Sequence, residues 1–326
     1  MKFAARINSF RQSPLLVREG KNLSIEECLE KISKIKGITH VELNYPEHFK
    51  DVTVAEMKQL VQKYHLKVSG VALRYKGKYL HGEFTNPIEE IRHEAVRETI
   101  EAVEACIELG GDVTTIWLAN DGFDYPFQCD YNHALDQEVA ALKQVAEMFP
   151  EHKISFEYKP YQPRAYSFIG DIATTLLVLD EVGAPNMGVT LDFCHMLMKK
   201  ESPAYSLAWA ARKNRLMGFH LNDGYKDNDD GLMLGSVHLM QTLEFIYYAK
   251  KYNYDGVNYF DTFPMREDPS AEVEANIETY LALDSYIDSY GLKEIEKLIE
   301  AGDAVKVQHF MLDLLRDKRL WRKNIA

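Results

Sequence analysis

Between Ile154 and Pro264 four short runs, Ile-Ser-Phe-Glu157, Val-Thr-Leu-Asp192, Met-Gly-Phe-His220 and Asn-Tyr-Phe-Asp261, each end on a side chain of a type that ligates metals. Each run has the length and the β-branched or aromatic content of a buried strand, follows a helix-like segment, and gives way to polar loop residues. A single acidic residue at a strand end is ordinarily a helix N-cap or a solvated loop group. Recurrence at the same end of four successive strands makes a site instead: in a (β/α)8 TIM barrel the strand ends and the loops after them converge on one axis at the C-terminal mouth.

Outward from that stretch, strands are expected over residues 2–7, 40–44, 67–74 and 112–119, giving eight strand-helix units of roughly forty residues each. Helices are expected from Ser24, where Ser-Ile-Glu-Glu27 reads as a capping box, and over 54–64, 89–109, 171–182, 203–214, 237–252 and 271–290. Two polar loops, 75–87 and 120–132, exceed the usual length of such connections, which marks them as functional candidates. No composition shift divides the chain, so residues 1–291 read as one barrel domain and 292–326 as a C-terminal helical extension. The extension either packs on its own barrel or joins a second subunit, and a homo-oligomer, dimer or tetramer, is the expected assembly.

The 326 residues suffice for a full core, and 46% hydrophobic with 27% charged residues is ordinary for a soluble globular protein. A formal net charge of −12 argues against nucleic acid as a partner, because phosphate backbones call for a basic surface. The absence of a membrane-spanning apolar run and of a signal-peptide core leads to an expectation of cytoplasmic location without membrane contact. Cys28, Cys106, Cys129 and Cys194 show no CxxC spacing and are expected to be reduced, mostly buried thiols.

Three carboxylates with one imidazole form a mixed oxygen and nitrogen shell that suits Mn2+, Co2+, Mg2+ or Zn2+. The imidazole favours Mn2+, Co2+ or Zn2+, since Mg2+ prefers oxygen and water; Mn2+ is the expected ion. His195 follows Asp192 by three residues, and Asp223, Asp227, Asp229 and Asp230 follow His220, so Asp192 is placed to bridge a second ion. One or two ions per chain are therefore expected. Lys159 shares a strand face with Glu157, either to hydrogen-bond a substrate oxygen that gains charge or to balance the acidic site as an ion pair. Trp117 and Phe84 read as apolar walls or as core, and His48 and His81 as exposed histidines.

Taken together these residues resemble the xylose isomerase-like barrels, the family of xylose isomerase, L-rhamnose isomerase and the ketose 3-epimerases. The resemblance runs from about residue 67 to 268 and rests on Phe156-Glu157-Tyr158-Lys159-Pro160 with Gln162-Pro163-Arg164, Gly82-Glu83-Phe84-Thr85-Asn86, Leu109-Gly110-Gly111 leading to Trp117, Asp192-Phe-Cys-His195, Gly218-Phe-His220-Leu-Asn-Asp223 and Asp261-Thr-Phe-Pro264. It implies a sugar isomerase that interconverts an aldose and a ketose of a monosaccharide by a metal-assisted hydride shift between C1 and C2. By position, Glu157, Asp192, His220 and Asp261 would hold a structural metal, and Asp192, His195 and Asp229 a catalytic one. Lys159 would contact the C1 oxygen and Trp117 and Phe84 would shield the carbons; His81, Asn44 and Arg164 are further expected substrate contacts. The loops after the first four strands would add Arg6, Asn8, Arg74 and Tyr125.

Three positions depart from the family pattern. Gly231 stands where a second aspartate on the catalytic metal would fall, Gln162 replaces a glutamate, and the ring-opening histidine falls near Asn44, leaving Glu47, His48 or His81 as stand-ins. Two other readings follow from the same resemblance. One is a ketose 3-epimerase working through an enediolate, with Glu157 and Asp261 as acid and base; the other is a sugar-binding barrel without turnover.

Overall fold

Strands enclosed on both sides need apolar or paired side chains at every position, and Met187–Asp192 is buried along its whole length, as is Lys67–Leu73 beyond its first residue. The computed structural model describes residues 1–17 and 20–316, which form a closed barrel of eight parallel strands ringed by helices. The strands are Lys2–Arg6, His40–Tyr45, Lys67–Leu73, Val113–Ile116, Lys153–Glu157, Met187–Asp192, Leu216–Leu221 and Val257–Phe260. They follow one another around the ring in chain order, and the eighth closes on the first with Lys2 opposite Val257 and Ala5 opposite Phe260.

Register places the site. The fifth strand pairs with the sixth so that Glu157 lies opposite Thr190, and the sixth with the seventh so that Asp192 lies opposite His220. The latter pairing slips at Val189 and Thr190. Gly218 permits the close approach there, since a Cβ on it would come within 2.6 Å of Thr190 Oγ1.

Helix ends follow their caps. Ser24 and Glu27 form the expected capping box at the start of Ile25–Ser33, and Thr53 with Glu56 forms a second before Val54–Lys63. Glu89–Leu109 has the expected bounds. Leu239–Lys251 starts two residues late because the Asp223 carboxylate takes the N–H groups of Val237 and His238, and Pro269–Tyr290 starts early because Asp268 caps Ser270 and Ala271. The helix-like segment expected before the fifth strand is Tyr131–Met148, capped by Asp130. An antiparallel ribbon, Gly122–Phe123 with Tyr166–Ser167, ties the loops after the fourth and fifth strands, with the Phe123 ring stacked on Tyr166.

The extension is two helices, Leu292–Glu300 and Ala304–Arg316, separated at Gly302, whose φ of 61° is left-handed. It packs on its own barrel: Phe310 and Leu314 join the core, and the Tyr286 hydroxyl donates to the Phe310 carbonyl. Residues 317–326, where the expected extension continued, lie outside the described residues. Cys28, Cys106 and Cys194 are buried free thiols and Cys129 is partly exposed. Among the described residues no helix is long and apolar enough to cross a membrane.

Candidate metal centre

Glu157 ends the fifth strand, Asp192 ends the sixth, His220 is the last residue but one of the seventh, and Asp261 follows the eighth directly. The ring thus brings the four sequence-predicted ligands to one mouth, where an oxygen or nitrogen from each lies within 4.8 Å of the others and all four side chains are buried. His220 Nδ1 is 3.3 Å from Glu157 Oε1, and Arg6 Nε is 2.8 Å from Asp261 Oδ1. Asp192 is fixed from two sides: Oδ1 accepts the His195 N–H at 2.9 Å, capping the short helix Phe193–Met198, and Oδ2 accepts from Asn222 Nδ2 at 3.0 Å.

Asp192, His195 and Asp229 form a second group within the same span. His195 Nε2 lies 3.3 Å from Asp229 Oδ2, and Lys159 Nζ donates to that oxygen at 3.0 Å. Gln162 holds the loop that delivers Asp229, donating to Asn228 Oδ1 and accepting the Asp229 N–H. The other candidate aspartates of that loop do other work. Asp223 gathers the N–H groups of Gly224, Val237 and His238, Asp230 accepts from the Tyr225 N–H, and Asp227 is exposed. Gly231 adopts a φ of 57°, and a Cβ there would come within 2.3 Å of the Phe263 ring. The position of the second aspartate expected from the resemblance is thus closed by an aromatic side chain, and among the described residues the second group numbers three.

Burial and the neighbouring charges shift Glu157, Asp192 and His220 in different directions. Burial works against ionisation of Glu157, but His220, then His195 and Arg74, hold its carboxyl down at about 2. Burial pushes Asp192 up to about 7; His195 opposes the shift, while the carboxylates of Asp229, Glu157 and Asp261 add to it. Burial also disfavours the His220 imidazolium, yet Glu157 and Glu42 outweigh it and keep its pKa well above the usual histidine value. Without an ion, the raised values of His220 and Asp192 both favour the proton-bound forms, which offset carboxylates that a divalent cation would balance in their place.

The residues fit such an ion. Glu157 Oε2, His220 Nδ1 and Asp229 Oδ1 are buried without a hydrogen-bond partner among the described residues, as atoms that ligate would be. Each imidazole is also turned by an acceptor on its far side. His195 Nδ1 meets the Tyr158 carbonyl at 3.0 Å, leaving Nε2 toward Asp229; His220 Nε2 lies 3.2 Å from Glu42 Oε1, leaving Nδ1 toward Glu157. Glu42 was missed in the sequence, although His40, Glu42 and Asn44 alternate along one face of the second strand, a polar stripe that marks an inward-facing site. Glu42→Gln should lower the affinity for Mn2+ by about 10- to 100-fold, measured by titration calorimetry, with the fold retained. Unchanged affinity would show that His220 needs no orienting carboxylate.

A cavity of about 240 Å3 opens onto the centre. Glu157, His195, Asp229 and Asp261 line its inner end and Arg6, Asn8, Arg74, Trp117 and Phe263 its walls. Several expected substrate contacts lie elsewhere. Phe84 is buried against Tyr75, because the Asp121 carboxylate gathers the N–H groups of Glu83, Phe84 and Thr85 and turns that loop inward. Asn44 is enclosed by Asn8 and His48, and His48 is buried rather than exposed, accepting from the Asn44 N–H at Nδ1. His81 is exposed and, with Arg164, lines a separate hollow. Arg164 is occupied in tying loops together, donating to the Asn120 and Leu80 carbonyls and to Asp124. Tyr125 is 71% exposed and outside the cavity lining.

The fold and centre agree with what comparison finds. Residues 29–283 match the family model of the xylose isomerase-like TIM barrel, and the chain belongs to that family. Xylose isomerase of Thermus thermophilus is 23% identical over 269 residues, covering 78% of this chain and 70% of that protein. Among solved structures, an L-ribulose 3-epimerase superposes with a TM-score of 0.69 at 14% identity, over 92% of this chain and 98% of its own. A D-allulose 3-epimerase from Methylomonas sp. also gives 0.69, at 18% identity over 87% and 98%. At such identities the structures show a shared fold, and the family holds both isomerases and epimerases.

Proposed function

We propose that the chain is a divalent-metal-dependent sugar isomerase that interconverts an aldose and a ketose. The observation that supports this reading is the position of Lys159: its Nζ faces Asp229 at 3.0 Å and lies over the Trp117 ring, beside two ligand sets that share Asp192. A divalent ion held by Glu157, Asp192, His220 and Asp261, Mn2+ by the character of its donors, with a second at Asp192, His195 and Asp229, supplies Lewis acidity toward adjacent sugar oxygens. Lys159 donates a hydrogen bond to the C1 oxygen as that oxygen gains charge. Trp117, stacked against Arg74 and Lys159, keeps water from C1 and C2. The hydride leaves C2 for C1, the carbonyl moves from C1 to C2, and a proton passes from O2 to O1. The reading places the enzyme in cytoplasmic carbohydrate metabolism, as a homo-oligomer.

A second reading has its own support. The second ligand set ends at three because Phe263 covers Gly231, which suits a single ion and a 3-epimerase in which Glu157 and Asp261 exchange a proton at C3 through an enediolate. The test is incubation of Mn2+-loaded protein with aldoses and ketoses in D2O, followed by NMR. An aldose-ketose pair nearly free of deuterium supports the hydride shift, and deuterium at C3 of an epimer assigns the chain to the epimerases. Lys159→Ala should lower kcat of the isomerase about 100- to 1,000-fold with metal content unchanged. Turnover that survives the change removes the lysine from the mechanism.

A further inference from the structure

We propose that the sugar taken by this cavity carries a carboxylate and that Arg74 is the residue that recognises it; the inference rests on the sugar-enzyme reading above and narrows its substrate class. Three cations, Arg6, Arg74 and Lys76, line the cavity, and two of them have close carboxylate partners. Arg6 lies 2.8 Å from Asp261, and Lys76, on the exposed rim, 2.7 Å from Glu47. Arg74 is different. Its nearest carboxylate oxygen, Asp261 Oδ2, is 4.0 Å away, and its guanidinium has no hydrogen-bond partner among the described residues although its side chain is only 15% exposed. It lies over the Trp117 ring with its central carbon 4.8 Å from the ring centre.

A guanidinium buried that far ordinarily has its donors satisfied, because an unpaired buried charge is costly. Here the donors face a cavity, and Trp117 holds their plane, so the two-pronged geometry that matches a carboxylate is set before a ligand arrives. The remaining lining does not repel an anion. Four carboxylates, Glu47, Glu157, Asp229 and Asp261, face three cations, and a divalent ion held by the inner carboxylates would offset that excess of negative charge. Size and charge favour carboxylate over phosphate. The cavity of about 240 Å3 is below the ~300–1,000 Å3 of typical ligand sites, and one unpaired guanidinium matches a monoanion better than a group of charge near −2.

The test uses the full-length, Mn2+-loaded protein and calorimetric titration with uronic and aldonic acids, their neutral parent aldoses, and the corresponding sugar phosphates. The acids should bind about 10- to 100-fold more tightly than the neutral sugars, and Arg74→Gln should bring that ratio close to one. Equal binding of acid and neutral sugar by the unaltered protein overturns the proposal without reference to any variant, as does a ratio that persists in Arg74→Gln. Tightest binding by the phosphates overturns the assignment to carboxylate. Failure of the functional reading is separable: uronic acids, which keep the aldehyde carbon that aldonic acids lack, that bind with the expected preference but undergo neither isomerisation nor epimerisation refute the enzyme and leave the recognition site standing. Turnover of neutral sugars with no preference for acids does the reverse.

Discussion

Asp192→Asn should yield a folded barrel that has lost its response to divalent ions. Asp192 is the one side chain common to both ligand groups, so a single oxygen-to-nitrogen exchange weakens both. The fold should survive. Asparagine also caps helices, so Phe193–Met198 keeps its N-terminal partner, and the exchange removes a carboxyl whose ionisation is opposed first by burial, then by the neighbouring carboxylates, which together push it up to about 7. In the unaltered protein, Mn2+ at about 100 times its Kd should add about 2.7 kcal/mol of stability, read as a rise in Tm. The variant should show no such rise, an affinity more than about 100-fold weaker, and no sugar turnover. A metal-induced rise in Tm that survives the substitution would place the ion elsewhere.

The second large effect concerns acid stability and His48. Burial pushes this imidazole down to about 3 from an ordinary 6.5, helped by Arg11, Arg6 and Arg74 and opposed by Glu47. Between those values the unfolded chain binds a proton that the native chain does not, so stability is lost as pH falls below 6.5. By pH 5 the loss from this one group is about 2 kcal/mol. Glu272 acts in the opposite sense: burial raises it to about 7, the native chain is then the better proton binder between its ordinary value and 7, and its contribution falls as pH rises through that range. The comparison with His48→Gln isolates the histidine. Urea unfolding at pH 7.5 and pH 5 should show the stability gap between the two proteins shrinking by about 2 kcal/mol at the lower pH. A gap independent of pH would mean that His48 is charged, or solvated, in the native chain.

How much of this was legible in the sequence depended on whether a signal was local. Strand ends carrying Glu157, Asp192, His220 and Asp261 were readable because a buried strand and its terminal ligand fit within a few residues. The capping box at Ser24 was readable for the same reason, whereas the start of Leu239–Lys251 was not, since it is set by a carboxylate fourteen residues upstream. Phe84 looked like a cavity wall because it lies in a motif loop; its true direction is decided by Asp121, which belongs to the next unit of the barrel. The choice of Asp229 among its neighbours is likewise made at a distance, by Gln162 and Lys159 from the loop after the fifth strand. The closure of Gly231 by Phe263 depends on the meeting of two loops from adjacent strands. Spacing within a segment conveys none of these.

The seam between the first and eighth strands has a consequence for assembly. Arg6 ends the first strand and meets Asp261 just past the eighth, and Ser9 donates to the Thr262 carbonyl across a sequence separation of 253 residues. The Asp261 N–H also donates to the Leu221 carbonyl of the seventh strand, so the eighth strand carries Asp261 to the group and the joining of opposite chain ends braces it there, a contact with one of the largest loop-closure costs available to this topology. During refolding, the appearance of tight Mn2+ binding would act as a clock for that final event. A chain halted one strand short would be rich in secondary structure and still blind to the ion.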